Sequence, residues 1–113
     1  MKRAVASLAA CGLLVIAAAP AVAATPTVRG TVGPGDTIAV SKKPTKAGTY
    51  KFTVRDLADE HNFRLRGAGV NVATSVGGTG TKTFTVKLRP GKTYTFVCDP
   101  HSDEMRGSFE VRR

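Results

Sequence analysis

Beyond residue 25 the chain alternates apolar and polar side chains at a period of two, and no stretch there follows a 3.6-residue period. That period puts every second side chain on one face of an extended strand, which directs the chain to half-buried β-strands and away from amphipathic helices. Ile38 and Val40 alternate with Thr37 and Ala39; Tyr50, Phe52 and Val54 with Lys51, Thr53 and Arg55. Phe63 and Leu65, Phe84, Val86 and Leu88, Tyr94 and Phe96, and Phe109 and Val111 repeat the pattern. Turn-forming residues punctuate it at Gly33-Pro34-Gly35, Lys43-Pro44, Ala47-Gly48, Gly77-Gly78-Thr79-Gly80 and Arg89-Pro90-Gly91. Six to eight short strands without a helix to carry parallel crossovers predict an all-β antiparallel sandwich or barrel. The 113 residues suffice for one domain. A domain of this size buries only about 60–65% of its unfolded surface, so a bound metal would stabilise it usefully.

The first 24 residues read differently. Lys2 and Arg3 precede an apolar run from Leu8 to Ala19, Pro20 ends it, and Ala21-Val22-Ala23 supplies small residues for cleavage. This predicts an export signal over 1–24 and a mature domain over 25–113, in the periplasm, at the cell surface or outside the cell. An uncleaved anchor and a lipid attachment at Cys11 are weaker readings: alanine dominates the stretch, and Cys11 sits too early in it. Once the signal is cleaved, no integral membrane segment is expected. Loss of Lys2 and Arg3 lowers the net charge from +9 to +7 and leaves Cys98 as the lone cysteine. Two cysteines cannot staple a disulfide scaffold, and one thiol in an oxidising compartment invites oxidation unless something occupies it.

Residues 98–105 read Cys-Asp-Pro-His-Ser-Asp-Glu-Met, a Cys-x2-His-x3-Met spacing between two predicted strands. Cys98 shares parity with Tyr94 and Phe96, Met105 with Phe109 and Val111, and the upstream His61 with Phe63 and Leu65. Each therefore faces the core at a strand end, with His101 in the loop between Cys98 and Met105. One thiolate, two imidazoles and one thioether form a soft donor set. Calcium and magnesium select oxygen, and structural zinc takes four Cys or His ligands. A trigonal arrangement of two His and one Cys with a weak axial Met suits copper. Glu104 and solvent compete with Met105 for the axial place.

The residues that carry this pattern, His61-Asn62-Phe63, Cys98-Asp99-Pro100-His101 and Met105-Arg106-Gly107-Ser108-Phe109, resemble the plastocyanin/azurin family of cupredoxins. The resemblance spans the expected mature chain and is greatest over 49–66 and 84–112. It implies an eight-strand Greek-key β-sandwich holding one type 1 copper ion through His61, Cys98, His101 and Met105. It also implies that the Asn62 backbone amide bonds the cysteine sulfur and that its side chain ties the ligand loops together. The His-to-Met interval is one residue shorter than in plant plastocyanins, and Asp99, Asp103 and Glu104 make the ligand loop acidic.

The expected function is one-electron transfer between exported redox partners, with copper buffering or delivery as the alternative. An enzyme is not expected. Multicopper oxidases and copper nitrite reductases need further histidines for a second copper centre, and both histidines of this chain are committed to the first. The positive charge favours partners with acidic surfaces, and a monomer is expected. Arg64 and Arg66 read as a solvated basic stripe. Nucleic acid is not expected as a partner of an exported domain that lacks exposed aromatic stacking residues. Gly77–Gly80 with Lys82 lacks the strand-to-helix context of a phosphate loop and reads as a turn.

Overall fold

The computed structural model describes residues 11–14 and 24–113. The expected export signal lies, apart from residues 11–14 and Ala24, outside that range. Among the described residues no helix is long and apolar enough to cross a membrane.

Among the described residues eight strands form: β1 (Thr27–Val32), β2 (Ile38–Val40), β3 (Gly48–Asp56), β4 (Arg64–Gly67), β5 (Val70–Ala73), β6 (Gly80–Leu88), β7 (Thr93–Val97) and β8 (Arg106–Glu110). The one helical element among the described residues is a 3-10 turn over Asp99–His101. The strands make two four-stranded sheets, ordered β2-β1-β3-β6 and β5-β4-β7-β8, as expected of a β-sandwich. One pairing departs from the antiparallel expectation: β1 and β3 run parallel, Val28 beside Phe52 and Gly30 beside Val54. No helix is needed for that crossover, because β2 turns back along the far edge of β1 before the chain enters β3. Periodicity tells which face of a strand is buried and says nothing about its neighbour.

The alternating apolar side chains meet between the sheets. Val28, Val32, Phe52, Val54, Val86 and Leu88 come from one sheet, and Leu65, Tyr94, Phe96 and Phe109 from the other. Full burial of side chains of this size contributes about 1.5–3 kcal/mol each relative to exposure. Phe63 and Phe96 stack with ring centroids 5.9 Å apart and planes 2° apart. The Phe63 ring lies over Gly30, where an added Cβ would meet it at 3.0 Å. That contact explains why β1 is hard to read in the sequence: its central inward position is glycine, and the missing side chain is supplied from across the core.

Two contacts fix the end of the sandwich where the candidate ligands lie. β4 pairs antiparallel with β7, Leu65 opposite Phe96 and Arg64 opposite Val97, so the segments leading out of His61 and into Cys98 run side by side. The Phe63–Phe96 stack then anchors both segments two residues from their candidate ligands.

Candidate metal centre

Cys98 directly follows β7 and caps the 3-10 turn, which brings His101 back toward it: the His101 amide donates to the Cys98 carbonyl at 3.1 Å. The loop is closed on itself. The Met105 amide donates to the His101 carbonyl at 2.8 Å, and the Cys98 amide donates to the Met105 carbonyl at 3.0 Å. Pro100 within the turn restricts its backbone further. His61 arrives from the loop before β4 and is fully buried, as are Cys98 at 0% and Met105 at 1% exposure, while His101 is half-buried.

Three donor atoms converge. His61 Nδ1 and His101 Nδ1 are 3.1 Å apart, and the Cys98 sulfur lies 3.7 Å from each. A point equidistant from corners separated by 3.1, 3.7 and 3.7 Å lies about 2.0 Å from each corner. That is about the bond length of imidazole nitrogen to a first-row divalent ion, and within about 0.3 Å of that for thiolate sulfur. Hydrogen bonds among the three groups cannot satisfy them all, because two like ring nitrogens 3.1 Å apart share at most one proton. A cation at their centre engages all three lone pairs. The donor set therefore fits a bound metal, and its trigonal group of two nitrogens and one sulfur fits copper.

Residues 31–112 match the family described as copper binding proteins, plastocyanin/azurin family. The chain belongs to that family. No curated protein matches it. Among solved structures, this cupredoxin is similar to sodium-dithionite-reduced auracyanin from the photosynthetic bacterium Roseiflexus castenholzii. The two share 21% identity with a TM-score of 0.55, over 80% of this chain and 100% of that one, a likeness of fold. The family gives the chain its cofactor, copper.

The cupredoxin holds its two ligand-bearing loops together through Asn62. This side chain donates to Asp99 Oδ2 at 2.8 Å and to the Thr74 carbonyl at 3.4 Å, and accepts the Asp99 amide at 2.7 Å. These bonds join the segment after His61 to the segment after Cys98, while among the described residues the Cys98 sulfur has the two imidazoles and not the Asn62 backbone amide as partners. Next to Asn62, the Phe63 amide donates to Thr74 Oγ1 at 2.8 Å, so the strand after His61 is clamped at consecutive residues. Asn62→Ala leaves the Asp99 amide without its acceptor, and an unsatisfied partly buried group costs about 1–3 kcal/mol. Thermal unfolding is expected to show that loss together with weaker copper retention. An unchanged midpoint would remove Asn62 from this role.

Arg64 corrects the sequence reading. It is not simply solvated: its Nε and Nη2 donate to the Asp99 carboxylate at 2.9–3.0 Å, and its Nη1 donates to Asn71 Oδ1 at 2.7 Å. A partner 35 residues away cannot be inferred from a charge alternation. The hydrogen bond from Arg64 is the main cause that holds the Asp99 carboxyl below the usual carboxylate range, helped by Asn62 and opposed by partial burial. The same bond raises the Arg64 guanidinium above its ordinary value. Because the folded value for Asp99 is depressed, its stabilisation is present at neutral pH and fades as acid carries the solution down through that value. With the two side chains 30% and 38% exposed, solvent screening keeps the contribution small.

Carboxylates also gather on the other side of the site. Asp36 Oδ1 lies 3.4 Å and Glu60 Oε1 3.7 Å from His61 Nε2. Neither residue stood out in the sequence, although Asp36 directly follows the Gly33-Pro34-Gly35 turn signal.

Proposed function

We propose that the protein is a one-electron carrier whose copper is held by His61, Cys98 and His101, with Met105 as the axial ligand. The observation that carries the reading is the triangle of Nδ1, Nδ1 and sulfur at 3.1, 3.7 and 3.7 Å. Copper in such a site supplies a one-electron change between Cu(II) and Cu(I). The chain's own residues make that change easy to transmit. Buried Cys98 is kept from solvent oxidants, and the closed 98–105 loop holds the donors in nearly one geometry for both oxidation states. The half-buried His101 ring is the ligand nearest to solvent and offers the electron its way out.

Partners are read as redox proteins with acidic surfaces, because the net charge of +7 left after loss of Lys2 and Arg3 from the +9 chain steers encounter with them. The outward positions of β1, β3 and β6 carry Arg29, Lys51, Arg55 and Lys87, which places part of that charge on one sheet face. The charged start, apolar run and Ala21-Val22-Ala23 of the sequence support export, with residues 25–113 as the working domain. A carrier rather than a catalyst is favoured because both histidines of the chain converge on one site, leaving none for a second copper centre.

A spectrum tests the proposal. The Cu(II)-loaded protein is expected to show an intense visible thiolate-to-copper absorption and to cycle reversibly. Met105→Leu is expected to keep the colour and raise the reduction potential, because a weak donor to Cu(II) is lost. Glu104→Gln is expected to change neither. A colourless Cu(II) form would sink the reading. Copper delivery is the second reading, favoured by the exposed Asp103 and Glu104 beside a ligand that is itself only half-buried. Rapid surrender of copper to a chelator would select delivery, whereas a carrier retains it through many turnovers.

A further inference from the structure

His61 Nε2, on the side of the ring opposite the donor triangle, is buried and makes no hydrogen bond. A neutral imidazole that gives its Nδ1 lone pair to a metal carries its one proton on Nε2. Two carboxylates lie near that nitrogen, Asp36 Oδ1 at 3.4 Å and Glu60 Oε1 at 3.7 Å. We propose that Asp36 accepts the His61 Nε2–H and thereby biases the site toward Cu(II), lowering its reduction potential. This rests on His61 being a copper ligand, as proposed above. A carboxylate acceptor makes the hydrogen bond charge-assisted and the imidazole a stronger donor, and a stronger donor favours the more highly charged ion.

Asp36 is set up for this by its turn. The Gly33 amide donates to the Thr37 carbonyl at 2.8 Å, and Thr37 Oγ1 donates to the Pro34 carbonyl at 3.1 Å. The turn is also seated on the loop that leads to His61. The Leu57 amide donates to the Val32 carbonyl at 2.9 Å, and Gly33 packs so closely that an added Cβ would meet the Ala58 Cβ at 3.0 Å. Gly33 and Gly35 take φ values of +69° and +71°, a backbone that glycine adopts at no steric cost. The turn is thus fixed while the Asp36 side chain, 61% exposed, keeps its rotamer freedom. At 3.4 Å the pair is within reach but not aligned as a hydrogen bond, so the exposed Asp36 side chain must both turn toward the N–H and approach by about 0.4 Å. Asp36 is the better acceptor of the two because it is nearer and has fewer torsions to order than Glu60. It is a positioning and tuning residue, since it reaches the copper only through the imidazole.

The test measures the reduction potential of the copper-loaded protein and, by chelator competition, the affinities for Cu(II) and Cu(I) separately. Asp36→Asn is expected to lower the Cu(II)-to-Cu(I) affinity ratio about tenfold, which for a one-electron couple is a rise of about 59 mV. Asp103→Asn removes a carboxylate from the ligand loop without touching His61 and is expected to move the ratio less than about threefold, the residual effect of an exposed charge. Asp36→Glu, which restores the charge, is expected to return most of the shift. A ratio unchanged in Asp36→Asn, an equal shift in Asp103→Asn, or no recovery in Asp36→Glu overturns the proposal. The copper reading stands in each of those cases as long as the thiolate absorption persists. Wild-type protein that lacks the absorption fails both readings at once.

Discussion

Cys98→Ser is expected to erase the visible absorption of the copper-loaded protein and to weaken Cu(II) binding by about a thousandfold, roughly 4 kcal/mol. The reason lies in the charge of the donor set. When these three residues hold a metal, cysteine binds as an anion and the two imidazoles bind as neutral donors. A serine hydroxyl remains protonated at neutral pH and is a hard donor, so it replaces neither the charge nor the polarisable sulfur. The metal-free fold should tolerate the change. A hydroxyl at this place has the Nδ1 atoms of His61 and His101 as partners, where the sulfur now lies 3.7 Å from each. Thermal unfolding of the metal-free variant is therefore expected to stay close to wild type while copper titration followed by absorption collapses. A Cys98→Ser protein that keeps the intense absorption would mean that the thiolate is not a ligand.

Gly107→Ala is expected to destabilise the fold strongly, as one of the two glycines, with Gly67, at which an added Cβ falls 2.3 Å from a buried aromatic ring. Gly107 sits directly opposite Phe96 in the β7–β8 pair, and an added Cβ would fall 2.3 Å from Phe96 Cζ and 2.6 Å from Cε2. The ring has nowhere to go. Phe96 is stacked on Phe63, and Phe63 in turn lies against Gly30, so the overlap is passed from one sheet to the other. Overpacking with no relief falls at the upper end of its usual range, about 3 kcal/mol. For a domain of this size that lowers the melting temperature by about 12–24 °C. Gly77→Ala is the control, because a Cβ there meets nothing within 4 Å. If the Gly107→Ala protein melts within about 2 °C of wild type, the Phe96–Phe63 stack is softer than its geometry implies. Both rings stand two residues from a proposed ligand, so copper retention should fall with stability.

The strands that were legible in the sequence are those whose inward positions are filled by their own side chains. Phe52 and Val54, Val86 and Leu88, and Tyr94 with Phe96 all point inward as their alternation says. β1 escaped because Phe63 fills the space over Gly30. Val97 and Asn62 are buried against parity, Val97 at the end of its strand and Asn62 in a loop where the pleat no longer governs direction. The donor types and their spacing were legible as well, since metal preference follows from the atoms themselves. The Asn62 tie came only through the family resemblance, and its continuation through Asp99 to Arg64 was not legible, because these residues acquire their roles from partners 35 to 37 residues away.

The amino-acid order by itself determined which atoms are available to a metal and which face of each strand they share, because both are local properties of side chains and of an extended backbone. Tertiary structure alone decided that β4 lies against β7, that the two Nδ1 atoms and not the Nε2 atoms face each other, and that the Asp36 turn rests behind His61. These outcomes depend on how distant segments pair and pack. Strand neighbours are chosen by the whole core at once, and no local period encodes that choice.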